Sequence, residues 1–204
     1  MNTKIEKVSE ESIQLAGEVL KQGGIVAFPT DTVYGLGAVC TNDEAVQKIF
    51  AAKGRDEGKP LSILVASVEQ AEQIALEIPE KARRLMEKYW PGALTLVLKK
   101  RPEISDKVSA GRETIGLRMP DSRAAVKLLE AAGIPLAAPS ANTSGKRSSV
   151  SAEDVIADLA GRVDMILDGG RCPVGISSTV VDLTGESPVI LREGSITKTM
   201  IDEA

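Results

Sequence analysis

Residues 28–37 read Phe-Pro-Thr-Asp-Thr-Val-Tyr-Gly-Leu-Gly, which puts two hydroxyls and a carboxylate on the consecutive positions Thr30, Asp31 and Thr32. The apolar run 25–28 before them is predicted to be a buried strand. These groups therefore stand at a strand-to-loop transition, where α/β proteins collect ligands. Gly35 and Gly37 are expected to permit a tight turn and close backbone approach. A plain turn with capping hydroxyls accounts for the same residues. Further on, Lys53-Gly-Arg55 and Lys59-Pro-Leu put three cations within seven residues. At the end of a helix they serve either as cations favoured by the macrodipole or as a phosphate clamp, with Arg as a planar fork and Lys as a point charge.

Three later segments add polar groups. Thr114-Ile-Gly-Leu-Arg118-Met-Pro120 sets a guanidinium inside an apolar strand. A buried charge needs a partner, so Arg118 faces either a structural Asp or Glu or the carboxylate of a ligand. Ala138-Pro-Ser140-Ala-Asn142-Thr-Ser-Gly-Lys146-Arg-Ser148-Ser149 is dense in hydroxyls, with an amide and two cations. Such a loop wraps phosphate oxygens or is a mobile surface loop, and it lacks the residue order of a P-loop. Gly175-Ile-Ser-Ser178-Thr179-Val-Val-Asp182, then Leu191-Arg192-Glu-Gly194, brings hydroxyls into one strand and a cation to the end of the next.

Composition restricts the chemistry. The chain has 204 residues and no His. That removes Ser-His-Asp triads, Cys-His dyads and His-ligated metals. Lys, Arg, carboxylates, hydroxyls, backbone amides or a substrate group must do the work. With 25 Lys and Arg against 29 Asp and Glu, the net charge is −4, the wrong sign for a general polyanion binder. Aromatics at 2% are too few for a base-stacking platform. Cys40 and Cys172 make neither a disulfide framework nor a zinc pattern; both are expected to be packing residues in a reduced setting. The N-terminus lacks an apolar signal core, and no run reaches a membrane span. A cytoplasmic protein without membrane contact is expected.

The elements that must hold these groups alternate between helix and strand. Helices are predicted over 9–22, 41–52 (opened by a capping box at Thr41–Glu44), 67 onward, 79–89, 121–132 and 151–160. Strands are predicted over 25–28, 61–66, 94–98, 114–119, 136–138, 165–167, 178–183 and 189–191. There is no internal repeat and no low-complexity linker. The pattern implies one α/β domain over 1–204, with a mixed sheet covered by helices.

Taken in order, PTDTVYGLG, KGR with KPL, WPGALTLVL, TIGLRMP, APSAN, GISSTVVD and ILREG resemble the YrdC-like family of threonylcarbamoyl-AMP synthases. The resemblance covers roughly residues 9–195. It implies a twisted mixed sheet around an open, positively lined concave cleft. It also implies the reaction of L-threonine, bicarbonate and ATP to threonylcarbamoyl-AMP and pyrophosphate. A separate transferase complex then modifies adenosine 37 of tRNAs that read ANN codons. By the family pattern, Thr32, Leu64, Arg118, Ala138 and Ser178 meet threonine. Arg55, Lys59, Thr114, Ser140, Asn142, Ser148 and Arg192 meet ATP, and Lys53 with Arg55 stabilises charge in the reaction. No protein-held metal is expected, since Mg2+ travels on the ATP phosphates. Asp56 stands where many members have Pro, and Leu64 where some have His, so Leu64 offers only backbone or apolar contact. Some longer relatives carry a C-terminal domain that closes the cleft; by this comparison the core is about 9–195, no additional C-terminal domain is expected here, and the lid is expected from the chain's own loops or termini. For the synthase, at most a weak tRNA contact is expected; the rivals are a non-catalytic protein of this fold that holds double-stranded RNA or tRNA in its cleft, and a carbamoyl-adenylate enzyme of the hydrogenase-maturation type.

Overall fold

The computed structural model describes residues 2–204. Among them are ten strands: β1 (Lys4–Lys7), β2 (Val26–Phe28), β3 (Gly35–Val39), β4 (Ser62–Leu64), β5 (Leu94–Lys99), β6 (Thr114–Arg118), β7 (Leu136–Ala137), β8 (Met165–Asp168), β9 (Thr179–Asp182) and β10 (Val189–Arg192). The helices are α1 (Glu10–Lys21), α2 (Asp43–Lys53), α3 (Val68–Ile74), α4 (Glu80–Tyr89), α5 (Asp106–Ser109), α6 (Arg123–Ala132), α7 (Ala152–Leu159) and α8 (Lys198–Asp202). One sheet runs β1-β8-β2-β3-β7-β4-β6-β5-β9-β10. It is mixed, as expected: β4–β6 and β5–β9 are parallel, whereas β5–β6 and β9–β10 are antiparallel.

Strand alternation sorts the side chains onto two faces. On one face Ile63, Leu94, Leu96, Leu98, Ile115, Leu117 and Val181 join the larger core with α2, α4 and α7. On the other, Val26, Phe28, Leu136, Met165 and Leu167 pack under α1 and α6. Those two helices cover only the β8-β2-β3-β7 half of that face. Those helices leave the β4-β6-β5-β9 half uncovered, and the residues of matching parity that line cavities there are Ser62, Leu64, Thr95, Val97, Thr114, Gly116, Arg118, Val180 and Asp182. This unroofed half belongs to a sheet whose reverse is a hydrocarbon core.

Two local expectations are corrected. Gly35 and Gly37 lie within β3, antiparallel to β2, and not in a turn. Their service is to packing: a Cβ on Gly37 would stand 2.8 Å from the Phe28 ring. The cap of α2 is Asn42, whose side chain accepts from the Ala45 amide, and not Thr41. Ser9, Ser67 and Ser151 cap the starts of α1, α3 and α7, and the left-handed Gly133 closes α6. Cys40 and Cys172 are free and buried, and burial pushes the Cys40 thiol up to about 11. Among the described residues, no helix is long and apolar enough to cross a membrane.

Candidate active site

β6 delivers Arg118 to the open face. It is 6% exposed, and each of its three guanidinium nitrogens has a partner. Nη2 donates to Asp31 at 2.5 Å, Nη1 to the Thr32 hydroxyl at 2.8 Å and Nε to the Gly92 carbonyl at 2.9 Å. The partner left open by the sequence is thus a structural carboxylate, 87 residues away in the chain. Asp31 is itself held by the Asp121 amide. Burial lowers the Arg118 pKa, and Asp31 opposes the shift. Thr32 Oγ1 lies 3.0 Å from Thr30 Oγ1, so the β2–β3 connection presents a fixed pair of hydroxyls.

Around Arg118 is a cavity of about 80 Å3 whose lining includes Thr32, Leu64, Arg118, Ala138 and Ser178. These are the five residues that the resemblance assigns to threonine. Ser178 Oγ is 2.8 Å from Thr95 Oγ1, and Arg192 donates to both the Ser178 carbonyl and its hydroxyl, at 3.0 and 3.1 Å. A second cavity of about 260 Å3 adjoins it and shares Ser62, Pro139, Ser140 and Arg192. Arg55, Thr114, Ser140 and Arg192 line it, four of the seven residues assigned to ATP. Its floor is low and apolar: Gly116, Val97, Val180 and Leu191. A Cβ on Gly116 would sit 3.0 Å from Ser62 Oγ and 3.2 Å from Thr95 Cγ2, so the bare glycine keeps the sheet open to a flat group.

The electrostatics favour an anion. Arg192 has its pKa lowered by burial first, then by Arg118 and Arg55. Arg55 donates only to the Lys59 and Pro60 carbonyls, at 3.4 and 3.0 Å. Three guanidiniums therefore face one region, and only Arg118 is in an ion pair among the described residues. The added charge that would relieve this repulsion is negative.

The remaining assigned residues lie outside the two cavities. Lys59 is exposed. Ser148 is at a neighbouring cavity with Lys146, Arg147 and Arg171, its hydroxyl 3.3 Å from that of Ser177. Asn142 is buried and spends its amide nitrogen on the Thr143 and Lys146 carbonyls. Lys53 is withdrawn from solvent, with its ammonium on the Ser140 and Asn142 carbonyls. Sequence reasoning missed Arg112, Ser62, Thr95 and Tyr34, which also line the cavities. For Ser62 and Thr95, the available signal was a hydroxyl at alternate positions within an otherwise apolar strand.

Burial first, then the Arg55 guanidinium, pushes the Lys53 ammonium down from its ordinary 10.5 to about 8. Between those values the unfolded chain holds a proton that the native state lacks. The stability that Lys53 contributes is therefore full above about 10.5 and is lost as the pH falls through the window to about 8. Chemical denaturation of wild type and Lys53→Met should show their stability difference moving in favour of wild type from pH 8 upward. A difference that does not change with pH contradicts it.

The largest cavity, about 640 Å3, lies at the starts of α1 and α6. There Lys127 pairs with Glu10, and none of the residues assigned to substrate lines it. Size alone would choose this cavity. The uncompensated guanidiniums place the candidate site in the smaller pair.

The Sua5/YciO/YrdC family model, described as telomere recombination, matches residues 18–194. The chain belongs to the Sua5/YciO/YrdC family. It is similar to proteins named threonylcarbamoyl-AMP synthase from Bacillus subtilis and Pyrococcus abyssi. The first is 47% identical over 195 residues, 95% of this chain and 56% of that one. The second is 47% identical over 191 residues, 94% of this chain and 56% of that one. The chain thus spans about half the length of these curated relatives. The structure of P. abyssi Sua5 complexed with L-threonine superposes with a TM-score of 0.94 at 45% identity, covering 99% of this chain and 59% of that one. The single α/β unit with a mixed sheet is the Sua5/YciO/YrdC fold.

Proposed function

We propose that the chain makes threonylcarbamoyl-AMP and pyrophosphate from L-threonine, bicarbonate and ATP, as a nucleotidyltransferase supplying a tRNA-modifying transferase. The observation that carries this reading is the pair of adjoining cavities on one sheet face. They share Arg192 and Ser140, and the threonine-assigned residues line one while four ATP-assigned residues line the other. Two substrates bound side by side meet at that shared wall. The names of the relatives and the threonine in the P. abyssi complex support the choice of amino acid.

In the proposed reaction the threonine amine attacks CO2 derived from bicarbonate and loses a proton, giving a carbamate. A carbamate oxygen bonds to the α-phosphorus, and the bond to the bridging oxygen of pyrophosphate breaks. The nucleophile is already an anion, which suits a chain without His. The protein positions the two substrates and stabilises the charge on phosphate. Arg118, fixed by Asp31, has the charge for the threonine carboxylate; Thr32 and Ser178 supply hydroxyls beside it. Arg55 and Arg192 supply charge at the phosphates. The site is rich in cations, and Asp182 of the nucleotide cavity already accepts from Thr184, so the donor set suits Mg2+ carried by the triphosphate as part of the substrate.

An amino-acid screen tests the substrate. With ATP and bicarbonate, mass detection should find a threonine-derived carbamoyl adenylate and no comparable product from valine, which lacks the hydroxyl. Equal products from threonine and valine would contradict the reading. Salt-dependent tRNA binding without adenylate formation would favour the RNA-binding rival.

A further inference from the structure

Lys53 was expected to neutralise phosphate charge, but its geometry gives it a different task. It is the last residue of α2, and its side chain is 1% exposed. The ammonium sits 2.5 Å from the carbonyl oxygens of both Ser140 and Asn142. The backbone adds another tie, with the Ser144 amide donating to the Lys53 carbonyl at 2.8 Å. Two of the three ammonium protons are thus committed to one loop, and Lys53 is not among the residues lining either cavity.

We infer that Lys53 is a positioning residue, which acts on the nucleotide through the 140–144 loop and not by touching phosphate. The inference rests on the nucleotide reading of that cavity.

The loop needs such a clamp. It follows the two-residue strand β7 and has little regular structure of its own. Its other anchors are single bonds: the Ala141 amide to the Tyr34 carbonyl, the Ser149 hydroxyl to the Ala141 carbonyl, and the Thr143 amide to Asp158. A peptide carbonyl turned toward a triphosphate would repel it. Lys53 draws two such carbonyls inward, while Ser140 still lines both cavities. Its location at the C-terminus of α2 lowers the penalty of burying the charge there. For the ammonium to leave and reach a phosphate, the Asn142 carbonyl would lose its partner in the interior and the Ser140 carbonyl would keep only the Asn142 amide. Arg55, two residues on, carries the charge that does line the cavity.

Hydrogen exchange read by mass spectrometry on the ligand-free protein separates the two roles. In Lys53→Met, the amides of Ala141, Thr143 and Ser144 should exchange roughly tenfold faster or more than in wild type, because the loop opens locally. AMP and ATP should weaken by the same factor, since a misplaced loop does not depend on the number of phosphates. A direct phosphate ligand predicts the reverse: unchanged exchange without ligand, and a loss for ATP that exceeds the loss for AMP. That outcome overturns the inference. If Lys53→Met does not fold, Lys53→Arg gives the same comparison, because it keeps the charge and alters the clamp. A wild type that binds neither nucleotide would sink the functional reading, while the exchange result would still decide whether Lys53 holds the loop.

Discussion

Arg55→Ala should turn over about 10²-fold more slowly than wild type and remain folded. The rate figure is that for removing one preorganised electrostatic donor at developing charge. The fold should tolerate the change because Arg55 holds only two carbonyls of its own loop, those of Lys59 and Pro60, and water can replace it there. Its guanidinium forms no ion pair among the described residues, so no buried carboxylate is stranded. Surface changes of this kind stay within about 0.5 kcal/mol of wild type. Steady-state kinetics and a denaturation midpoint measured on the same preparation test both halves. A large fall in stability with turnover intact would return the Lys53–Lys59 segment to the role of a helix cap.

Arg118→Met should do the opposite first: it should destabilise the fold by about 3–5 kcal/mol, the cost of breaking a buried pair from one side. The Asp31 carboxyl would be left 7% exposed, with only the Asp121 amide as donor. Against a total stability of about 5–15 kcal/mol this is a large share. Lysine should not rescue it, because an ammonium cannot reach Asp31, Thr32 and the Gly92 carbonyl with the geometry of a planar fork. Adding Asp31→Asn to Arg118→Met should recover part of the loss, since the stranded charge is gone. Urea denaturation of the two single variants and the double variant reads the coupling. Additive losses would show that Asp31 and Arg118 do not act as a pair.

The parts of the fold most legible in the sequence were those set by short-range chemistry. The apolar runs and helical periodicities mark their elements because each depends on a few neighbours. β3 was missed because Gly35 and Gly37 read as turn residues; their actual constraint is the Phe28 ring on the adjacent strand. Likewise, Arg118 announced that it needed a partner, but identifying Asp31 required the topology that sets β6 near the β2–β3 connection. The short outer elements β1, α5 and α8 carry little periodic signal, and none was predicted. At the site, nine of the residues that the ordered motifs named line the two adjoining cavities, and Lys53, Lys59, Asn142 and Ser148 do not. They could not distinguish Arg55, which lines the cavity, from Lys53, which faces inward two residues earlier. Both are cations at a helix end, and only the third dimension separates them.

The central claim is that two substrates meet at Arg192 and Ser140, and that the carbamate of threonine attacks the α-phosphorus. Pyrophosphate release from ATP, followed while threonine and bicarbonate are supplied singly and together, tests this directly. Sustained release is expected only when both are present, with one threonylcarbamoyl-AMP formed per pyrophosphate. Release at the same rate from ATP alone, or indifferent to bicarbonate, would contradict it.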